Sequence, residues 1–136
     1  MSRYISNKLK VFISEQAGFR CEYCRLSAYH SYFPFHFEHI ISIKHGGKTN
    51  AANLAYACPL CNLNKGSDIA TFLNDPTDLI RFFNPRTDKW ADHFQAESTG
   101  EIIAKTAIGA ATIKIFNFNH TDSMIERCEM IKFGFL

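Results

Sequence analysis

The spacing of apolar positions along the chain changes period several times, and each change marks an element. Leu9, Phe12 and Ile13, with Ile5 one turn earlier, share one face of a helix over 7–17, for which Ser6 supplies an N-cap and Gly18 a stop. A Tyr- and Phe-rich stretch then runs to Phe35, interrupted by Pro34. Residues 37–43 are β-branched and aromatic enough for a strand. His45-Gly46-Gly47-Lys48-Thr49-Asn50 has the composition of a loop. Residues 54–57 suit a short second strand or a turn of helix, and 62–73 predict a helix that Gly66 weakens.

Downstream, Asp75-Pro76 and Asn84-Pro85-Arg86 punctuate an irregular segment. Residues 90–96 and 101–104 read as the arms of a β-hairpin around Ser98-Thr99-Gly100. Thr106 is placed to cap a helix over 107–116, and Thr121 or Asp122 one over 123–132. Neither an internal repeat nor a low-complexity linker interrupts the pattern, which predicts one α+β domain spanning 1–136.

Composition narrows the classes. With 46% hydrophobic and 21% charged residues, the chain is neither a disordered tail nor a fibrous repeat. No apolar run approaches the roughly 18 to 20 residues of a membrane span, and MSRYISNKLK lacks the apolar core of a secretory signal. The expectation is a cytoplasmic protein without a membrane partner. The net charge of +2 is unevenly spread: residues 1–70 hold eight basic against four acidic side chains, and 71–136 hold seven against nine. The first half is therefore the better candidate for an anionic partner.

Five cysteines in a reducing compartment do not make a disulfide framework. Four of them form two pairs, Cys21-Glu22-Tyr23-Cys24 and Cys58-Pro59-Leu60-Cys61, and a two-residue spacer lets both sulfurs of a knuckle face one tetrahedral zinc ion. Four thiolates close the coordination shell, so such a zinc is structural and stabilises a segment with little core of its own. Buried free cysteines or a redox CxxC are the alternatives. Cys128, on an amphipathic helix, reads as a small buried hydrophobe.

Between the knuckles stand Glu38-His39-Ile40-Ile41, Gly46-Gly47 and Asn53-Leu54, and Asn62 and Lys65-Gly66 follow the second pair. Phosphodiester hydrolysis needs an activated water, a cation to absorb charge on the phosphate, and a base titrating near neutrality. His39 suits the base. Glu38, a hard anionic oxygen ligand, and Asn62, a hard neutral one, suit Mg²⁺ or Mn²⁺. Successive strand residues point to opposite faces, so Glu38 and His39 serve one site only if the strand end is bulged or irregular.

These positions, in this order, resemble the HNH endonuclease family, in the branch whose ββα-metal motif is stapled by two CxxC pairs. The resemblance covers 18–68 most closely, implying a core motif over about 18–73 and an extension over about 74–136. Asn84-Pro85-Arg86-Thr87-Asp88-Lys89-Trp90 with His93-Phe94 looks like an extension found on many small bacterial members. The family's roles, carried over residue by residue, make His39 the general base, Glu38 and Asn62 the holders of the catalytic metal, and Asn53 the residue that orients the histidine. They also imply DNA as substrate, with 5′-phosphate and 3′-hydroxyl products. Glu38 stands where Asp is usual, adding one methylene of reach. Asn62 stands where the third letter of the family name would be His, making this an HNN variant.

Other candidates carry less. Lys65, Lys44, Lys48 and His45 are placed to meet phosphate, against the plain reading of solvated side chains. His36 could share the face of Glu38. His30, His93 and His120 read as structural, and Trp90 with His93-Phe94 as anchors of the hairpin. No base-reading array of Arg and Asn stands out, so the expectation is low sequence specificity or a targeting partner protein, and one site per chain makes a homodimer one route to a double-strand break. The competing class is a zinc-stapled nucleic-acid-binding module that does not cleave; a thiol redox protein would need a pair free of zinc.

Overall fold

The computed structural model describes residues 3–135. Helix α1 (Asn7–Gln16) starts where expected: Ser6 accepts the Leu9 amide, and Gly18, at φ 62°, lies just past the end. After a one-turn 3₁₀ segment at Ala28–His30, strands β1 (His36–His39) and β2 (Leu54–Ala57) pair antiparallel, His39 opposite Leu54 and His36 opposite Ala57. Helix α2 (Pro59–Lys65) completes a ββα unit. Two further antiparallel pairs follow, β3 (Ala70–Phe72) with β4 (Leu79–Arg81), and β5 (Phe94–Ala96) with β6 (Ile102–Ala104). The short helix α3 (Trp90–His93) leads into β5, and α4 (Ala107–Phe116) and α5 (Thr121–Lys132) close the chain. The fold is the mixed α/β arrangement with a ββα unit that the sequence predicts.

Several boundaries differ from expectation for local reasons. The strand expected over 37–43 ends at His39, because the chain then turns into a 3₁₀ segment at Ile43–His45 that Gly46 terminates at φ 89°. The helix expected over 62–73 begins at Pro59, whose fixed φ suits the first helical position, with the Cys58 sulfur capping the Cys61 amide. It stops at Lys65 because Gly66 leaves the helical region, and 70–72 pairs as a strand instead. Residues 90–93 are helical rather than extended. His120, not Thr121 or Asp122, caps α5, its Nδ1 accepting the Asp122 amide at 3.3 Å. Cys128 is half-buried rather than enclosed, with Sγ 3.5 Å from the Ser98 carbonyl.

One core joins the ββα unit to the later elements. Tyr23, beside the first knuckle, stacks on Phe116 of α4 with ring centroids 4.8 Å apart, and Phe82, Phe83, Phe94 and Phe118 continue the cluster. Offset and edge-on aromatic packing of this kind adds about 0.5 to 1.5 kcal/mol per pair beyond area burial. Trp90 donates its indole N–H to the Tyr23 carbonyl at 2.7 Å, and Arg86 bridges to Glu22 and Gln16. The Asn-Pro-Arg segment thus fastens 74–136 to the knuckle that precedes β1. No helix among the described residues is long and apolar enough to cross a membrane.

Candidate active site

The four cysteines converge as their spacing predicts. Cys21, Cys24, Cys58 and Cys61 are all buried, and their sulfurs lie within 4.8 Å of one another. Within each knuckle the second cysteine's amide donates to the first sulfur, Cys24 to Cys21 and Cys61 to Cys58, both at 3.4 Å. Zn–S bonds of about 2.3 Å in a tetrahedron separate sulfurs by a little under 4 Å, and the Cys24–Cys58 sulfur distance is 3.6 Å. The cluster therefore has the donor set and dimensions of a structural zinc site. A redox pair is a poorer fit, since the sulfurs are packed as a set of four with no access to solvent.

A second site lies at the end of β1. A cavity of about 400 Å³ is bordered by Glu38, His39 and Asn62, together with Arg3, Ser42 and Lys44. Strand, loop and helix each contribute. Glu38 and His39 both border this cavity with the β1–β2 register regular through His39, so of the two conditions expected, a bulged or an irregular strand end, it is not the bulge that is met. The strand ends at His39, and that termination lets two successive residues border one space.

Glu38 is enclosed, and its surroundings explain its chemistry. Oε1 takes the Lys65 ammonium at 2.9 Å and the Tyr23 hydroxyl at 3.4 Å. Oε2 is buried with no hydrogen-bond partner. Burial pushes the Glu38 carboxyl up to about 7, with the Lys65 charge pulling it the other way. An enclosed carboxylate oxygen without a partner, beside a cavity that Asn62 also borders, is a fitting place for a hard divalent cation.

His39 Nε2 lies 2.8 Å from the Thr49 hydroxyl. Partial desolvation, with the positive charges of Arg3 and Lys65 adding to it, holds this imidazole below its ordinary value. Asn53, expected to orient His39, does not bond to its ring. Its Oδ1 accepts the Ile41 amide at 2.9 Å and its Nδ2 donates to the carbonyls of Ile41 and Lys48 at 2.8 and 2.9 Å. It closes the loop over 41–48, immediately before Thr49, and so reaches the histidine only through that loop. Gly47 is required there, because a Cβ would come within 1.7 Å of the Ile41 carbonyl oxygen.

The lysines separate. Lys44 borders the cavity and is exposed, whereas Lys48 and His45 are exposed on the loop outside its lining. Lys65 is 2% exposed, held by Glu38 and the carbonyls of His39 and Gly66, and is no phosphate-binding surface lysine. The i, i+3 step from Asn62 to Lys65 on α2 was the available signal, since it turns both residues to one face. His36 is exposed and outside the lining. His93 bonds Thr106 at 2.7 Å, and His30 packs on Phe135. Sequence reasoning missed Ser42, whose buried hydroxyl has no partner and which borders the cavity; a lone serine in a loop gives no periodic or spacing signal.

Residues 21–68 match the family model described as HNH endonuclease. The match starts at the first knuckle cysteine and ends just past α2, so it takes in the ββα unit, the cysteine cluster and the cavity residues Glu38, His39 and Asn62. It identifies this segment as HNH-type and supports a nuclease-type function. No curated protein and no solved structure matches the chain.

Proposed function

We propose that the chain is a metal-dependent DNA endonuclease that uses the cavity at the end of β1. The observation that carries this reading is the convergence of Glu38, His39 and Asn62 on one space within the HNH-type segment. Glu38 Oε2 and the Asn62 side-chain amide oxygen are the groups that would hold Mg²⁺ or Mn²⁺. When bound, that ion supplies Lewis-acid stabilisation of charge on the phosphate and leaving oxygen.

The chain's own residues do the rest. In the tautomer that carries its proton on Nε2, His39 donates to Thr49 Oγ1 and keeps the Nδ1 lone pair to take a proton from the attacking water. The depressed basicity of His39 keeps that lone pair available at neutral pH. Asn53 fixes the loop that ends beside Thr49, and Lys44 at the rim supplies positive charge to a phosphate entering the cavity. The cysteine cluster with zinc holds β2 and α2 against the first knuckle and takes no part in the reaction.

Incubation with supercoiled plasmid and Mg²⁺ or Mn²⁺ tests the reading. It predicts relaxed or linear product that depends on the added metal and carries ligatable ends. Zinc-loaded protein that binds DNA but produces no metal-stimulated nicking would favour the non-cleaving module instead. The observation on that side is the Lys65 ammonium, which already gives the Glu38 carboxylate one cationic partner.

A further inference from the structure

Arg127 on α5 is completely withdrawn from solvent and is among the largest side chains so enclosed. Its Nε donates to the Gly100 carbonyl at 2.6 Å, Nη1 to the Cys24 carbonyl at 3.1 Å, and Nη2 to the Phe118 carbonyl at 2.8 Å and Asn119 Oδ1 at 3.3 Å. Every one of these acceptors is neutral. None of the carboxylate ion pairs among the described residues includes Arg127. A guanidinium does not shed its proton in a protein, so the fold encloses a full positive charge that no carboxylate pairs directly, the half-buried Glu126 acting on it only without contact. Such burial is strongly unfavourable unless an anion is close.

The neighbouring anionic group is the cysteine cluster. Cys24, whose carbonyl holds Nη1, belongs to the four-cysteine cluster, and all four thiol groups act electrostatically on Arg127. A second guanidinium stands beside the same knuckle. Arg25 follows Cys24 directly and adopts φ 72°, a left-handed conformation that glycine takes without strain and arginine does not. Its guanidinium lies 4.8 Å from the centre of the Trp90 ring, and Trp90 is itself tied to the Tyr23 carbonyl within the knuckle. Zn²⁺ with four thiolates carries a net charge of −2, which two guanidiniums would balance.

We propose that Arg127 and Arg25 are the counter-charges of the zinc centre, and that Arg127 makes the docking of α5 depend on zinc. The inference rests on the reading that the cysteine cluster holds zinc. With zinc bound, the thiolates compensate both guanidiniums. Without it no ion fixes the knuckle that Arg127 grips through the Cys24 carbonyl, and α5 loses the contact that ties it there.

The test uses the full-length zinc-loaded protein, with zinc content and zinc release to excess chelator as readouts. Arg127→Met is expected to release zinc about 10- to 100-fold faster, the usual penalty for removing a partner of a ligand shell. Arg127→Lys, which keeps the charge and loses the fork of hydrogen bonds, should fall between it and the wild type. Arg25→Gly removes backbone strain, so strain alone predicts a chain that holds zinc as well as or better than the wild type. The charge reading predicts faster release in spite of that relief, and this variant decides the matter if Arg127→Met fails to fold. Wild-type release from Arg25→Gly would overturn the proposal. So would unchanged amide protection of residues 121–132 after zinc is stripped, where increased exchange is expected. Wild-type protein that takes up no zinc would overturn the zinc reading beneath the proposal, and is told apart by the zinc content alone.

Discussion

Lys65 Nζ lies 2.9 Å from Glu38 Oε1, and the two side chains are only 2% and 5% exposed. The pair joins the inward face of β1 to the last turn of α2, so the carboxylate of Glu38 is held by a cation from the helix that carries Asn62. An enclosed ion pair contributes little net stability against an apolar replacement, but removing one partner strands a charge. The arrangement therefore makes Glu38 and Lys65 interdependent.

Lys65→Met should destabilise the protein by about 3 to 5 kcal/mol at pH 8, as breaking a buried pair does. Burial already pushes Glu38 up to about 7 against the pull of Lys65, so without that lysine the carboxyl is pushed further up, and in acid it is neutral and no charge is stranded. Thermal or urea denaturation of wild type and variant at pH 8 and pH 5 should then show a cost that shrinks at the lower pH. A cost equal at both values would contradict the pairing described.

The metal-holding role proposed for Glu38 makes a prediction about the pH dependence of divalent-metal binding. A protonated Glu38 cannot ligate, so below about 7 each ion bound must displace one proton, and affinity for Mn²⁺ should fall about tenfold per pH unit. Calorimetry at pH 6 in buffers of different ionisation enthalpy should show release of up to one proton. Binding that takes up or releases none would remove Glu38 from the ligand set.

Asn53 offers a prediction about positioning. Asn53→Ala removes bonds to the Ile41 amide and to the Ile41 and Lys48 carbonyls, and should cost about 0.5 to 1.5 kcal/mol, the net worth of a hydrogen bond whose partners water can reach. Cleavage should fall mainly in kcat, because the loop leading to Thr49 loosens while the rim lysine still meets DNA. Asn53→Ala with wild-type kcat would show that the loop does not set the histidine. Gly47→Ala should reproduce the defect from the other side of the same contact.

Much of this was legible in the residues. The two CxxC pairs located the cluster because the ligand spacing is local to each knuckle, and the cluster then brings β2 and α2 against the first knuckle. Glu38, His39 and Asn62 do border one cavity. Less legible was what each side chain bonds to. Lys65 looks like any basic residue near a phosphate site until burial pairs it with Glu38, and Asn53, given the role of orienting the histidine by the family resemblance, makes its side-chain bonds to the loop backbone. Helix and strand ends failed where a single backbone decision rules, at Pro59, Gly66 and the turn after His39. Arg127 gave no signal, since its importance lies in contacts made across 103 residues to Cys24.

The pH profile of cleavage follows from His39. Its ordinary value of 6.5 is lowered by partial desolvation and by the charges of Arg3 and Lys65, and the base role proposed for it requires the neutral ring. Measured at saturating metal, activity should decline only on going below about 6.5, with the midpoint on the acid side of that value. Thr49→Val, which deprives Nε2 of its hydroxyl partner, should reduce kcat about tenfold or more by letting the ring turn or change tautomer. A midpoint above 6.5 would contradict the electrostatics described.

The most direct measurement of the central claim is metal-dependent nicking of supercoiled plasmid by wild type and His39→Ala, both zinc-loaded and matched for thermal stability. The cavity chemistry predicts a loss of about 10² to 10⁴ in rate for the variant, with DNA affinity retained. Equal cleavage by the two proteins, or none by the wild type with either Mg²⁺ or Mn²⁺, would contradict it.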